Sequence, residues 1–393
     1  MVRVAIIGAG AAGSACAWAL RGRVSEVVVL EMGRGAGGRA GTRRTDSTAG
    51  GRSLDHGSPL LSVSSESSVI TDLVRDAIKR RHLSPFTGTQ GHFDTATGAS
   101  TVADGKSFVG APKMSSFARG LMARAAEVRF GTRVQRVVAQ DLGGWRLVDA
   151  AKRDHGFFDW LVVAGATPAL ARWEAGFKEP PPLSAAAFEG GGALPELGEV
   201  VRALDEGLDY DARHVAMLSF EEDVSKALLA HLPFDVTRVS GDDRIAAVIR
   251  RGSTLAIHST ATFAARHKNT MGATQHTSRV NSVVGSVDAE AHVCTLLVDA
   301  VDQIFPGTKL ISSELTNAHG PHLQRWGAAF PRWRRESAIR NELREGQCLI
   351  RPNERFVFAG DFTGDEPTLS VALNSGVSAA NALVDAIETK TRS

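Results

Sequence analysis

Four apolar residues, Val4 to Ile7, stand unbroken between Arg3 and a run of glycines. Short runs of this kind are strands buried on both faces of a parallel sheet. A small-residue segment then predicts a helix from about Ala11, and Val27 to Leu30 predicts a second buried strand. Further on, Val69, Ile70, Leu73, Val74 and Ile78 recur with helical period behind a serine-rich N-cap, so residues 55–58 are expected at a strand-to-helix turn. The stretches 128–137 and 157–168 read as strands on either side of a hairpin-like segment, 141–150. In the middle of the chain, "HVAMLSFE" (214–221), "RIAAVIRR" (244–251) and "LAIHSTATF" (255–263) alternate as antiparallel strands do. The segments "EPPPL" and "EGGGALPELG" read as loops. The polar stretch 267–279 has no apolar period and is expected to be mobile. Near the C-terminus, Phe356 to Ala359 predicts a strand, followed by a helix to Ile387. In that helix Ala372, Ser375, Gly376 and Ala379 offer a narrow face for close packing.

Composition excludes several classes. At 393 residues and 43% hydrophobic, the chain can bury a sizeable core. Forty-five basic against 43 acidic residues give a net charge of +2, too balanced for a nucleic-acid partner. Cys16, Cys294 and Cys348 are odd in number and fit no ligand spacing, so reduced thiols and no metal are expected. No run approaches a membrane span and a strand begins at Val2, which makes the cytoplasm the default location.

Chemistry concentrates where strands end. Gly8, Gly10 and Gly13 form G-x-G-x-x-G between the first strand and the first helix. The first glycine makes the turn, the second admits a pyrophosphate and the third lets the helix pack closely. Ala11 and Ala12 begin the helix, whose N-terminus favours the phosphates. Glu31, ending the second strand, is placed to accept hydrogen bonds from a ribose. A second glycine turn, "GRGAGGR" (33–39), follows at once. FAD-binding folds commonly have this feature, in which Gly38 lets a second loop lie against the cofactor. Arg34 and Arg39 then supply charge-assisted donors toward its pyrophosphate. Arg43 and Arg44 read as a solvated strand edge. His56 and Gly57 lie in the next turn, where His56 is a candidate acid or base. At the far end Gly360 and Asp361 follow a strand, with Asp361 positioned for a polyol chain. The helix start at Leu369, Ser370 and Val371 is suited to the negative charge of a reduced flavin.

The segments "IIGAGAAG", "GRGAGGRAGTRR", "LDHGSPLLSV", "KSFVGAPKMSSFARGL", "LQRWGAAFPR" and "FVFAGDFTGDEPTLSVALNSGVSAANAL" occur in the order seen in renalase-like flavoproteins, within the amine oxidase and p-hydroxybenzoate hydroxylase group. The resemblance spans most of the chain and is specific at its two ends. It implies an α/β fold, with a Rossmann-like FAD-binding domain and a discontinuous antiparallel-sheet substrate domain. Gly8, Gly10, Gly13, Glu31, Arg39, Val134 and Asp361 match its cofactor-contacting positions. It also implies that the flavin accepts hydride and is reoxidised by molecular oxygen. Motifs at both termini make the cofactor domain discontinuous, at 1–82, 114–172 and 328–393, leaving 83–113 and 173–327 for the substrate.

The chain departs from the family pattern at the substrate side. Its one tyrosine is Tyr210, and Gly327 and two alanines follow Trp326, which argues against an aromatic cage. Cys348 is not suited to a flavin link, so FAD is expected to be noncovalent. Arg213, His214, Arg250, Arg251, His258 and Phe362 are candidates to face a small-molecule substrate, with His56, His258 and Phe362 as the catalytic set. The leading reading is an oxidase of dihydronicotinamide isomers, whose chemistry asks little beyond orientation. An amine oxidase or other flavin oxidoreductase is the alternative. A flavin-free scaffold, as Rab GDP dissociation inhibitors are, is a third.

Overall fold

Alternation within each central strand sets the architecture. The computed structural model describes residues 1–44, 52–63, 68–189, 194–222, 230–268, 287–308, 319–334, 338–344 and 346–392. Five parallel strands lie side by side in the order Glu127–Phe130, Glu26–Glu31, Arg3–Ile7, Trp160–Ala164, Phe356–Ala359. Leu349–Arg351 closes one edge antiparallel. Successive strand residues point to opposite faces, and both faces here are apolar. Val4, Ile6, Val29, Val162 and Val357 meet the helices Ala11–Leu20 and Leu369–Arg392. Ala5, Val28, Leu161, Phe356 and Phe358 meet the other side of the molecule. Helix-to-helix approach on the first side is close enough that a Cβ on Gly376 would lie 2.1 Å from the Ala12 carbonyl oxygen. The small-residue face of the last helix therefore packs on the first helix.

On the second side lie the helices Pro182–Phe188 and Pro195–Gly207, whose first residues, 182–183 and 195–198, fall in segments expected from sequence as loops. In each, proline occupies the first turn, where its missing N–H costs no intrahelical bond. Leu183, Leu197, Val200, Val201 and Leu204 complete the same hydrophobic cluster. Packing therefore groups residues 182–188 and 195–207 with the parallel sheet, and the expected boundary at 172/173 does not follow it. The boundary at 82/83 likewise crosses a sheet, in which Leu61–Val63 and Leu83–Pro85 both pair with Lys106–Gly110.

Other expected elements are re-cut. The stretch 128–137 divides at Gly131, whose φ of 64° turns the chain. Its first part joins the parallel sheet, and Val134–Ala139 begins an antiparallel meander with Trp145–Asp149 and Asp154–Phe158. The strand expected over 255–263 stops at Ser259, because the Thr260 hydroxyl accepts from the Phe263 N–H and starts a short helix. Residues 55–58 do not enter a helix directly: Leu61–Val63 intervenes before the helix Ser68–Lys79. The segment expected to be mobile lies, over 269–279, outside the described residues.

The second layer is a seven-stranded sheet in the order His319–Trp333, Leu208–Ser219, Thr254–Ser259, Ile245–Arg251, Val236–Ser240, Gln90–Asp94, Ser100–Val102. Ala216 and Leu218 face the helix Val287–Ile304. Val215 and Met217 face the other way, toward Leu54, Leu60 and Trp326. That inward face meets the segment carrying His56. No helix among the described residues is long and apolar enough to cross a membrane.

Candidate functional site

The three fingerprint glycines have three different surroundings. Gly8 holds a φ of 105°, and its N–H donates to the Leu30 carbonyl at 2.9 Å. A Cβ on Gly13 would sit 2.0 Å from the Gly8 oxygen and 3.1 Å from the Ala164 Cβ. At Gly10 the same Cβ would meet nothing within 4 Å among the described residues. Two of the glycines thus serve the protein's own packing, and the middle one faces open space. The second glycine turn closes over this space: a Cβ on Gly38 would approach the Gly10 Cα at 3.3 Å, and the Gly37 N–H donates to the Ala9 carbonyl at 2.9 Å.

Glu31 joins the two turns. Its carboxylate accepts from the Ala9 N–H at 2.7 Å and from the Gly33 N–H at 2.6 Å. Burial nevertheless pushes its carboxyl above the usual range, more than these two bonds lower it. A carboxylate with spare lone pairs and insufficient solvation is suited to accept from further donors such as ribose hydroxyls. Ala11 and Ala12 begin the first helix beneath, with Ser14 N–H bonded to the Gly10 carbonyl.

Sequence aimed Arg39 at a phosphate and Asp361 at a polyol, but the structure ties them to each other. The guanidinium grips the carboxylate at 2.5 and 2.6 Å and also donates to the Ala329 carbonyl at 2.6 Å. This fork joins the second glycine turn to the turn after the last parallel strand, across 322 positions of sequence. Gly57 packs beside it, since a Cβ there would overlap the Arg39 carbonyl oxygen at 1.6 Å. Tyr210 is half-buried close by, and desolvation together with the Asp361 charge pushes its phenol up to about 12. Arg34, by contrast, is exposed on the rim of the turn. Of the presumed edge arginines, Arg44 is exposed and Arg43 donates to the Leu323 carbonyl at 3.2 Å.

A second cluster assembles on the inward face of the seven-stranded sheet. His56 is buried and its ring stacks on Trp326, with centroids 5.2 Å apart and planes at 30°. The Trp326 indole N–H donates to the His56 carbonyl at 3.2 Å. His258 lies opposite Val215 and Arg213 opposite Trp326 in the ladder, which puts all of them on this face. Burial, with Arg43 nearby, lowers the His56 pKa to about 4. Burial, then His56 and Arg213, lowers that of His258 to about 3. Both rings are therefore neutral at neutral pH. Among the described residues the buried Nδ1 of His56 and Nε2 of His258 have no hydrogen-bond partner, and such atoms are costly unless a ligand or water satisfies them.

Several sequence candidates fall elsewhere. His214 points to the opposite face, edge-on to Phe263. Arg250 pairs with Asp235, and Arg251 with Asp55 and the carbonyls of Gly110 and Pro112. Phe362 is a core side chain, 1% exposed in the cluster under the parallel sheet. Its role is packing, because its ring has no open side. Val134 is buried in the same cluster and pairs with Asp149. At the last helix the Thr368 hydroxyl accepts from the Val371 N–H at 3.1 Å, and the Ser370 hydroxyl donates to the Ser62 carbonyl. Leu369 packs into an apolar cluster, and the Gly360 N–H donates to Ser375 Oγ at 3.0 Å. Sequence alone missed Arg172, whose Nη2 donates to the Gly327 carbonyl at 2.7 Å, one residue from Trp326. Nothing local marked it, since it begins a short helix far from the sheet strands in sequence.

Residues 6–77 match the model of the NAD(P)-binding Rossmann-like domain. Over the whole chain, the fold is similar to that of a protein assigned as a protoporphyrinogen oxidase from Exiguobacterium sp. 255-15. The TM-score is 0.61 at 13% identity, covering 99% of each chain. It is also similar to a putrescine oxidase double mutant redesigned in its cofactor binding, with a TM-score of 0.58 at 12% identity, covering 98% of this chain and 99% of that one. The α/β architecture expected from sequence, a Rossmann-like unit joined to an antiparallel sheet, is thus the fold of this chain.

Proposed function

We propose that the protein is an FAD-dependent, renalase-like oxidoreductase that takes hydride from a dihydronicotinamide isomer and passes the electrons to molecular oxygen. The observation that carries this reading is the open space over Gly10, framed by two glycine turns and floored by an under-solvated Glu31. A single dinucleotide fingerprint needs only the first turn; the second, laid against it at Gly38, fits the longer contact of an FAD held noncovalently. FAD, when bound, supplies a hydride acceptor that oxygen can reoxidise.

The chain's own residues supply orientation. Gly10 admits the pyrophosphate, with the Ala11 end of the first helix directed at it. Glu31 accepts from ribose hydroxyls, and Arg34 at the rim screens phosphate charge. Arg39 acts by holding Asp361, so that the turn at Gly360 keeps its position relative to the glycine loops. The start of the last helix at Leu369–Val371, together with Gly57 and the backbone at Val134, completes the cofactor-holding set. On the substrate side the stacked His56 and Trp326 rings make a flat wall against which a planar nicotinamide ring can lie. Neutral His56 and His258 place unshared nitrogen atoms there without adding charge, which suits hydride departure from a dihydropyridine that needs no acid or base. Residues 1–82, 114–172 and 328–393, with the helices Pro182–Phe188 and Pro195–Gly207 added on packing grounds, form the cofactor-holding part.

Purified protein should be yellow and release FAD on heating. Mixed anaerobically with dihydronicotinamide isomers, its visible absorption should bleach and return on admitting air. Bleaching by amines alone would favour the amine oxidase reading, which rests on the likeness in fold to putrescine oxidase. A colourless protein that FAD cannot reconstitute would favour the flavin-free scaffold.

A further inference from the structure

Half-buried arginines in this protein are, as a rule, neutralised. Arg133 pairs with Glu179, Arg250 with Asp235, Arg251 with Asp55 and Arg351 with Glu342. Arg172 and Arg213 differ. Among the described residues neither has a carboxylate within ion-pair distance. Arg172 donates to the Gly327 carbonyl at 2.7 Å and lies 5.1 Å over the Tyr210 ring. Arg213 donates to the neighbouring Ala212 carbonyl at 3.0 Å and lies 5.1 Å over the Phe330 ring. The acids whose charge reaches them, Asp209 at Arg172 and Asp211 at Arg213, are themselves paired, Asp209 with Arg334 at 3.4 Å and Asp211 with Arg332 at 3.6 Å. Tyr210 stays protonated and offers no counter-charge. Both guanidinium groups are thus partly desolvated without an anion, an arrangement that costs stability unless something compensates it.

Their position says what that is. Arg213 faces Trp326 across the ladder, and Arg172 is bonded to the next residue, Gly327. Arg213 therefore lies on the face where His56 stacks on Trp326 and where the unsatisfied Nδ1 of His56 and Nε2 of His258 are found, and Arg172 is anchored at the residue after Trp326. Free guanidinium forks held on aromatic faces are suited to a carboxylate or a phosphate. We propose that Arg172 and Arg213 form the anion-recognition end of the substrate site, so that the substrate carries a carboxylate or phosphate beside its planar ring. This deepens the redox reading above and rests on it for the identity of the site. A simple protonated amine is disfavoured by the same two charges.

The test is isothermal titration calorimetry at low ionic strength with four probes of one shape: benzoate, phenyl phosphate, benzamide and benzylamine. It uses the wild-type protein, Arg172→Met and Arg213→Met, with Arg44→Met as control. Flavin content is read separately from visible absorption, and folding from circular dichroism. An anionic probe should bind at least tenfold tighter than benzamide, with benzylamine weakest. Each methionine variant at Arg172 or Arg213 should lose at least fivefold of that preference, and Arg44→Met none. If a methionine variant fails to fold, Arg213→Lys and Arg172→Lys serve instead, and each should keep only part of the preference. Phenyl phosphate above benzoate assigns a phosphate substrate, and the reverse a carboxylate. Equal binding of benzoate and benzamide, tighter binding of benzylamine, or a preference that survives both substitutions overturns the proposal. A colourless protein with an arginine-dependent preference would refute the flavin reading and keep the anion site; a yellow protein without the preference would do the reverse.

Discussion

The glycine cradle and the inward face of the seven-stranded sheet are built on different principles. In the cradle, backbone meets backbone: the Gly8 oxygen fills the space where a Gly13 Cβ would stand, and Gly38 rests on Gly10. On the sheet face, side chains from strands far apart in sequence meet, with Arg213, His258 and Trp326 gathered around His56. A surface made of backbone tolerates no added atoms where it packs on itself, as at Gly13, but is written in one residue type. A surface made of side chains can be altered without dismantling the fold, and it is invisible until the strands are aligned.

The sharpest way to break this contrast is at the two glycines three positions apart. Gly13→Val should cost more than about 4 kcal/mol, or give no folded protein, because its Cβ collides with backbone. Gly10→Val should fold normally and lose FAD. Circular dichroism and flavin absorption of the two variants separate these outcomes, and similar behaviour would mean that Gly10 faces no ligand.

Next in size is the link between the cradle and the far end of the chain. Asp361→Ala strands the Arg39 guanidinium and should cost about 3 kcal/mol in urea unfolding. Arg39→Lys should cost less, since an ammonium keeps the charge and loses the fork. A cost near zero for Arg39→Lys would show that the geometry of the pair is unimportant.

The sheet face should reveal itself through pH. Unfolded histidine takes up a proton below about pH 6.5, whereas His56 resists until about 4. Its contribution is therefore complete above pH 6.5 and is lost as pH falls toward 4. Between pH 7 and 5 it should amount to about 2 kcal/mol. Denaturation of His56→Gln at the two pH values should show a loss smaller by that amount; parallel losses would place His56 in contact with solvent.

Smaller again, Glu31→Gln removes one acceptor from the Ala9 and Gly33 N–H groups and should cost about 1 to 2 kcal/mol, with weakened FAD retention. Calorimetric FAD titration would show an unchanged dissociation constant if Glu31 does not reach the ribose. Least of all, Arg44→Ala should shift stability by under about 0.5 kcal/mol, because the side chain is exposed.

Which parts could be read in advance follows from the same contrast. The first strand, first helix, second strand and last strand were legible because their patterns are local, and the fingerprint spacing is a local backbone requirement. The helices at Pro182–Phe188 and Pro195–Gly207 were not: proline and glycine read as punctuation, and only the apolar floor of the parallel sheet makes Leu183, Leu197 and Leu204 worth burying. Arg250 and Arg251 looked available for a substrate, and are occupied because Asp235 and Asp55 reach them from other elements.

By itself, the sequence determined the Rossmann-like unit, its two glycine turns and Glu31, since a positive φ, a close approach or a buried strand end depends on neighbours within a few residues. Only the tertiary structure decided that Arg39 is tied to Asp361, that His56 stacks on Trp326, and that Arg172 and Arg213 are left without carboxylates among the described residues. Whether a charge is satisfied depends on which distant groups surround it, and long-range packing alone sets that.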